Sequence, residues 1–283
     1  MKKSFIFFAA ITLVLLCYGT YQGLVVAPRE DTMGDAQRIF YYHVPSATAA
    51  YSLFFLNFAA SIMYLWKRSA RADAWALAAA EVGIVFATVT LALGMIWARY
   101  AWGHWWAWDM RLTTFLILWL LYVSYLVLRR SSEVGSTSVM SAALAVVVFL
   151  DVPFNYMANR WFRTNHPQPV TLDDPRMKFA LMAGMIAFLS FAALVVWFRY
   201  DLERIAQKIA ATHIQKAARR VMASIALPAL LFFQLPAELE LHRQRTFMYG
   251  GYITAWVVYM GYLALLIVKL TRLKKESVEL ARV

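Results

Sequence analysis

Apolar and polar positions alternate along this chain in long blocks. Six apolar runs stand out in the first two thirds: Ser4–Val26, Ala47–Trp66, Trp75–Ala98, Leu112–Leu128, Ser138–Phe154 and Phe179–Phe198. Each is apolar on all sides, as a lipid-embedded helix must be. Most approach the roughly 20 residues that a bilayer span requires, and local thinning of the membrane accommodates the shorter ones. The pattern changes after Phe198. In "RYDLERIAQKIAATHIQKAARR", Leu202, Ile205 and Ile209 share one helical face, with Arg204, Lys208, Lys216 and Arg219 around them. That periodicity predicts an amphipathic helix on the membrane surface. A weaker run, Val221–Ala237, is interrupted by Pro228, and a last strong run covers Tyr252–Leu270. The pattern predicts an all-α polytopic membrane protein with eight spans. A six-helix core occupies residues 1–200, an amphipathic linker 201–220, and a two-segment C-terminal region 221–283. No fixed-period repeat is present.

Composition agrees: of 283 residues, 62% are hydrophobic and 16% charged, against about 25% charged in soluble domains. The net charge of +12 could suggest a nucleic-acid partner, but its distribution argues for a membrane instead. The basic residues gather between the apolar runs: Lys2 and Lys3; Lys67, Arg68 and Arg71; Arg129 and Arg130; Arg199 through Arg220; Arg272, Lys274 and Lys275. This is the positive-inside pattern of cytoplasmic loops, and it implies lipid and no nucleic acid. The one cysteine, Cys17, lies inside the first run. A CxxC redox pair and a CxxCH haem-attachment site are therefore excluded. The first run exceeds the usual signal-peptide core of about 7–15 residues and no A-x-A site follows it, so it reads as a retained helix.

With the N-terminus inside, three loops face outward: Ala27–Ser46, Arg99–Arg111 and Asn155–Lys178. They carry an uncommon set of groups. The first holds "QRIFYYHVPSA" with His43, and the third holds "NRWFRTNHPQP" with His166. The second holds "WGHWWAWDMRLT", in which Trp102, Trp105, Trp106 and Trp108 surround His104 and precede Asp109 and Arg111. Six spans bring these loops to one membrane face, where two histidines, an indole platform and several arginines can converge. A flat metallated macrocycle with acidic edges needs such a set. Imidazole nitrogen ligates haem iron, indole faces cover the ring, and Arg pairs with propionates in a bidentate fork.

Plainer readings compete. Trp and Tyr belts at membrane interfaces are routine, although a belt requires neither Asp109 nor Arg111. A histidine at a helix start is more often a polar cap than a ligand, and His104 is a third candidate beside His43 and His166. His213 and His242 read as solvated. Glu81, inside the third run, is either functional or bonded to a neighbouring helix. Asp151, in "FLDVPF", either orients a histidine or, the favoured reading, caps the break imposed by Pro153.

The Trp-rich stretch resembles the WWD signature of the haem-handling membrane proteins of cytochrome c maturation. "QRIFYYHVPSA", "AEVGIVF", "FLDVPFNYM" and "RWFRTNHPQP" resemble, in order, stretches of the CcmC family within that group, over residues 1 to about 200. The resemblance implies a protein of the bacterial cytoplasmic (inner) membrane with its haem site facing outward. It implies b-type haem, held non-covalently and transiently, and passed to a periplasmic, CcmE-like haem chaperone. Subunits of an ABC transporter (CcmA/CcmB-like) are the further partners implied. Family haem ligands map onto His43 and His166, and the family's aromatic and acidic positions onto Trp102, Trp105, Trp106, Trp108 and Asp109. His104 departs from the family pattern, which usually has a small or aliphatic residue there. The tail "MYGGYITAWVVYMGYLALLIVKLTRLKK" resembles the one-helix CcmD subunit, which suggests a fusion. A cytochrome c haem lyase is the alternative, since related WWD proteins act as synthases. Such synthases are usually larger and carry further histidines, so the haem-transfer reading, without turnover chemistry, is preferred. A general transporter ranks last, because only Glu81 approaches the membrane centre.

Overall fold

The computed structural model describes residues 3–131, 136–166, 172, 174–211 and 243–280. Eight α-helices carry this part of the chain: α1 (Lys3–Tyr21), α2 (Phe40–Lys67), α3 (Ala70–Trp102), α4 (Met110–Ser131), α5 (Ser136–Val148), α6 (Asp151–Trp161), α7 (Pro175–Ala211) and α8 (Arg243–Leu280). Helices α5 and α6 together form one broken span. Among the described residues, seven helical segments are long and apolar enough to cross a membrane. Six correspond to the six expected core runs, and the seventh, Tyr252–Leu273, to the last one. The eighth expected span, Val221–Ala237, lies outside the described residues, as do His213 and His242.

Helix α3 is the centre of the bundle. Small residues Ala74, Ala76, Ala78, Ala79, Ala80 and Ala87 bury its surface and let α2 and α7 approach. Gly83 serves the same end, since a Cβ there would fall 2.7 Å from the Phe54 ring. Close packing of small residues is how helices associate in lipid, where no hydrophobic force drives them together. Larger rings fill the remaining gaps: Phe54 stacks on Tyr122 with centroids 3.7 Å apart, linking α2 to α4.

Helix ends differ from the expected loop bounds. Helix α2 is preceded by a 3-10 turn at Asp35–Ile39 and begins at Phe40, so His43 lies in its first turn. The expected loop Ala27–Ser46 is correspondingly shorter. Helix α6 runs on to Trp161, so Asn155 is helical and not the start of a loop. Hydrophobicity marks only where a helix is in lipid; its hydrogen-bonded backbone continues beyond the apolar zone. The break in the fifth span falls at Phe149 and Leu150. No side-chain cap bond forms at the start of α6, which corrects the capping role favoured for Asp151. Its Oδ2 is buried without a hydrogen-bond partner among the described residues. Helix α7 continues without interruption through the expected surface stretch as far as Ala211, with Leu202 and Ile209 buried.

Ion pairs between helices tie one end of the bundle together. Arg129 of α4 pairs with Asp73 of α3 at 2.8 Å. The fully buried Arg199 of α7 is paired to Glu81 of α3 and, at 2.9 Å, to Glu203. Glu81 is thus bonded to a neighbouring helix, one of the two readings its sequence position allowed. Helix α8 packs on the bundle through its tyrosines. Tyr252 lies 4.3 Å from Tyr42, and Tyr259 is hydrogen-bonded to Ser46 at 3.0 Å and packed against Phe86 and Phe191.

Candidate functional site

The site lies at the end of the bundle opposite the Arg129 and Arg199 ion pairs. Three connections meet there: the turn before α2, the α3–α4 loop and the segment after α6. His43 projects from the first turn of α2 toward α3. Gly94 of α3 makes room for it, because a Cβ at that position would lie 3.2 Å from its Cε1. The ring faces the main chain of Thr90 in α3. Its Nδ1 is buried and has no hydrogen-bond partner among the described residues. His166 and Arg111 are both close enough to act on His43 electrostatically. His166 Nδ1 lies 3.2 Å from Asn159 Nδ2, and Thr164 donates to the His166 carbonyl at 3.3 Å.

The tryptophan loop begins where Gly103 ends α3 at a φ of 78°, a left-handed turn that favours glycine. The indoles do not form one flat wall. Trp102 sits edge-on to Trp97, with an interplanar angle of 82°, and beside His104; Trp106 and Trp108 meet at 73°. Edge-to-face pairs are the arrangement the ring quadrupoles prefer. Trp108 is 79% exposed and Trp105 46% exposed, so the loop offers aromatic surface outward. Trp106 turns the other way: its Nε1 is buried without a partner among the described residues. His104 is exposed and touches Trp102.

Asp109 caps α4 by accepting the Leu112 amide at 2.9 Å, and its other oxygen accepts the Asn165 amide at 2.9 Å. It therefore joins the second connection to the third, next to His166. Arg111 donates to the carbonyls of Asn155 at 2.6 Å and Tyr156 at 3.1 Å, which fastens α4 to α6. The sequence reading missed the residues that hold these groups in place: Thr90, Gly94, Tyr51, Asn155 and Asn159. Two of them fell within quoted motifs, Asn155 in "FLDVPFNYM" and Asn159 at the start of "NRWFRTNHPQP". Nearby, the Asp174 carboxyl at the start of α7 is held below its usual pKa by hydrogen bonds from Arg176.

Fold and site define a multi-pass α-helical membrane protein with histidines, tryptophans and arginine gathered at one end. The family profile described as "CcmC: Heme exporter protein C" matches residues 1–224. The chain belongs to this CcmC family, haem-handling membrane proteins of cytochrome c maturation. Heme exporter protein C of Haemophilus influenzae is 31% identical over 205 residues, covering 69% of this chain and 82% of its own length. The protein of that name from Bradyrhizobium diazoefficiens is 35% identical over 165 residues, 58% of this chain and 62% of its own. That of Escherichia coli K12 is 29% identical over 196 residues, 68% and 80% respectively.

Proposed function

We propose that this protein holds haem at the His43 end of the bundle, on the outer face of the bacterial cytoplasmic membrane, and presents it to a periplasmic haem chaperone of the CcmE type. His43 and His166 would ligate its iron. Arg111 adds positive charge for the propionates, and Trp102, Trp105, Trp106 and Trp108 supply the apolar faces and the docking surface. Asp109 shapes the loop and carries no proton in the process. ABC-transporter subunits of the same pathway, CcmA/CcmB-like, are the partners within the membrane. The C-terminal helix α8 acts as a fused CcmD-like helix.

The observation that carries this reading is the pairing of His43 with His166 around unused binding capacity. His43 Nδ1 and Trp106 Nε1 are both buried without partners among the described residues. One is a ligand nitrogen and the other a hydrogen-bond donor suited to a propionate. Buried polar groups ordinarily have partners, so these two orphans fit a ligand that satisfies them. Haem supplies the iron and the acidic edge; the protein supplies orientation, apolar cover and charge. The outward orientation draws on the opposite end, where Lys67, Arg68, Arg71 and Arg129 cluster.

The test replaces each histidine. His43→Gly and His166→Gly should each alter the haem spectrum of the purified protein, and added imidazole should restore it. Loss of the spectrum in His104→Gly alone, with either of the other variants unchanged, would reassign the ligand.

A further inference from the structure

Asn155 of α6 is fully buried and bonds to two other helices of the bundle, α2 and α4. Its Oδ1 accepts the Tyr51 hydroxyl of α2 at 2.5 Å. Its Nδ2 donates to the Arg111 carbonyl of α4 at 2.9 Å and to the Thr114 hydroxyl at 2.5 Å. Its main-chain carbonyl accepts the Arg111 guanidinium at 2.6 Å. A side-chain amide can make few bonds, and here both ends of it are engaged. In an apolar bundle such a node fixes helix register, because breaking it leaves buried polar groups unpaired on every partner.

The node joins α2, which carries His43, to α6, whose end leads to His166. Tyr51 is on the same helix as His43, about 12 Å further along its axis at 1.5 Å per residue. Arg111 and Thr114 form the first turns of α4, and that helix is capped by Asp109, whose second oxygen holds the Asn165 amide. Asn165 immediately precedes His166. A continuous polar chain therefore runs from α2 through Tyr51, Asn155, the start of α4 and Asp109 to the segment bearing His166.

We infer that Asn155 is a positioning residue that sets the distance and angle between His43 and His166. It touches neither histidine and acts through Tyr51 on one side and Asp109 on the other. The inference rests on the reading that these two histidines ligate haem. Two ligands on separate segments bind one iron together only if the helices that carry or lead to them keep their spacing to within about 0.5 Å. Loss of the node leaves one histidine bound and the other displaced, so six-coordinate low-spin haem becomes partly five-coordinate and high-spin.

The experiment uses the full-length protein, purified with haem from membranes, as wild type, Asn155→Leu, Tyr51→Phe, His43→Gly and His166→Gly. Membrane abundance and the ferric absorption spectrum are read for each. Asn155→Leu is expected to stay within about two-fold of wild-type abundance and to gain a high-spin fraction that imidazole converts back. Tyr51→Phe, which removes one hydroxyl and no packing volume, should shift in the same direction by less. A wild-type spectrum in Asn155→Leu, where the histidine variants do change it, overturns the positioning role and leaves the haem reading intact. If Asn155→Leu does not accumulate, Tyr51→Phe decides, and an unshifted spectrum there also overturns the role. Spectra unmoved by either histidine variant overturn both the role and the ligand assignment beneath it.

Discussion

Asp109 shows how a single side chain at the site can serve shape and function together. Its carboxylate holds the amides of Leu112 and Asn165, one on each side of the tryptophan loop. Removing an N-cap costs about 0.5–2 kcal/mol, a modest loss in a bundle of this size. An amide at this position keeps an acceptor and loses the charge that strengthens both bonds. Asp109→Asn is therefore expected to lower haem transfer to the chaperone more than it lowers protein abundance. Equal loss of both, measured by haem transfer and immunoblot on the same membranes, would make the residue purely structural. Sequence chemistry singled out Asp109 and Arg111 without giving the bonding partners of either. It did not anticipate that Arg111 binds the carbonyls of Asn155 and Tyr156, because a salt bridge or a propionate contact looks the same in a linear motif. Gly94 and Thr90 were illegible for a related reason: their importance comes from facing His43 across a helix contact.

At the scale of helices, the buried ions decide how α3 and α7 meet. Arg199 is held between Glu81 and Glu203, which puts one cation against two carboxylates. Breaking a buried pair by removing one partner costs about 3–5 kcal/mol, whereas replacing the ions together with apolar groups can be nearly neutral. Arg199→Met should reduce membrane abundance strongly, and Glu81→Gln combined with Glu203→Gln in that background should recover part of it. No recovery in quantitative immunoblots would show that packing, and not charge, dominates at this contact. Six core spans were readable from apolar runs because lipid imposes length and composition directly. Their ends were not, since polar residues such as Gln37, Arg38 and His43 enter helical turns once the backbone bonds itself. The break at Phe149 and Leu150 was signalled by Pro153, although Asp151 does not cap it.

For the whole molecule, the open question is how the C-terminal helix is reached. Helix α7 starts at the site end, with Tyr18 of α1 against its Phe179, and its far end carries Arg199. Helix α8 runs the same way, from Tyr252 beside Tyr42 to Leu266 and beyond. Two parallel helices in sequence require a return to the starting face, and the expected return, Val221–Ala237, lies outside the described residues. With eight spans, a reporter active only in the periplasm and fused after Gln244 should give signal. Silence there, with signal after Arg282, would invert the tail and remove the basis for a CcmD-like role.

The central claim is that haem binds between His43 and His166, and an absorption spectrum of the purified full-length protein tests it most directly. The account predicts a Soret band that co-purifies with the protein and is lost in the His43→Gly/His166→Gly double variant at equal protein concentration. A Soret band of the same position and height in wild type and double variant, or none in folded wild type supplied with haem, would contradict it.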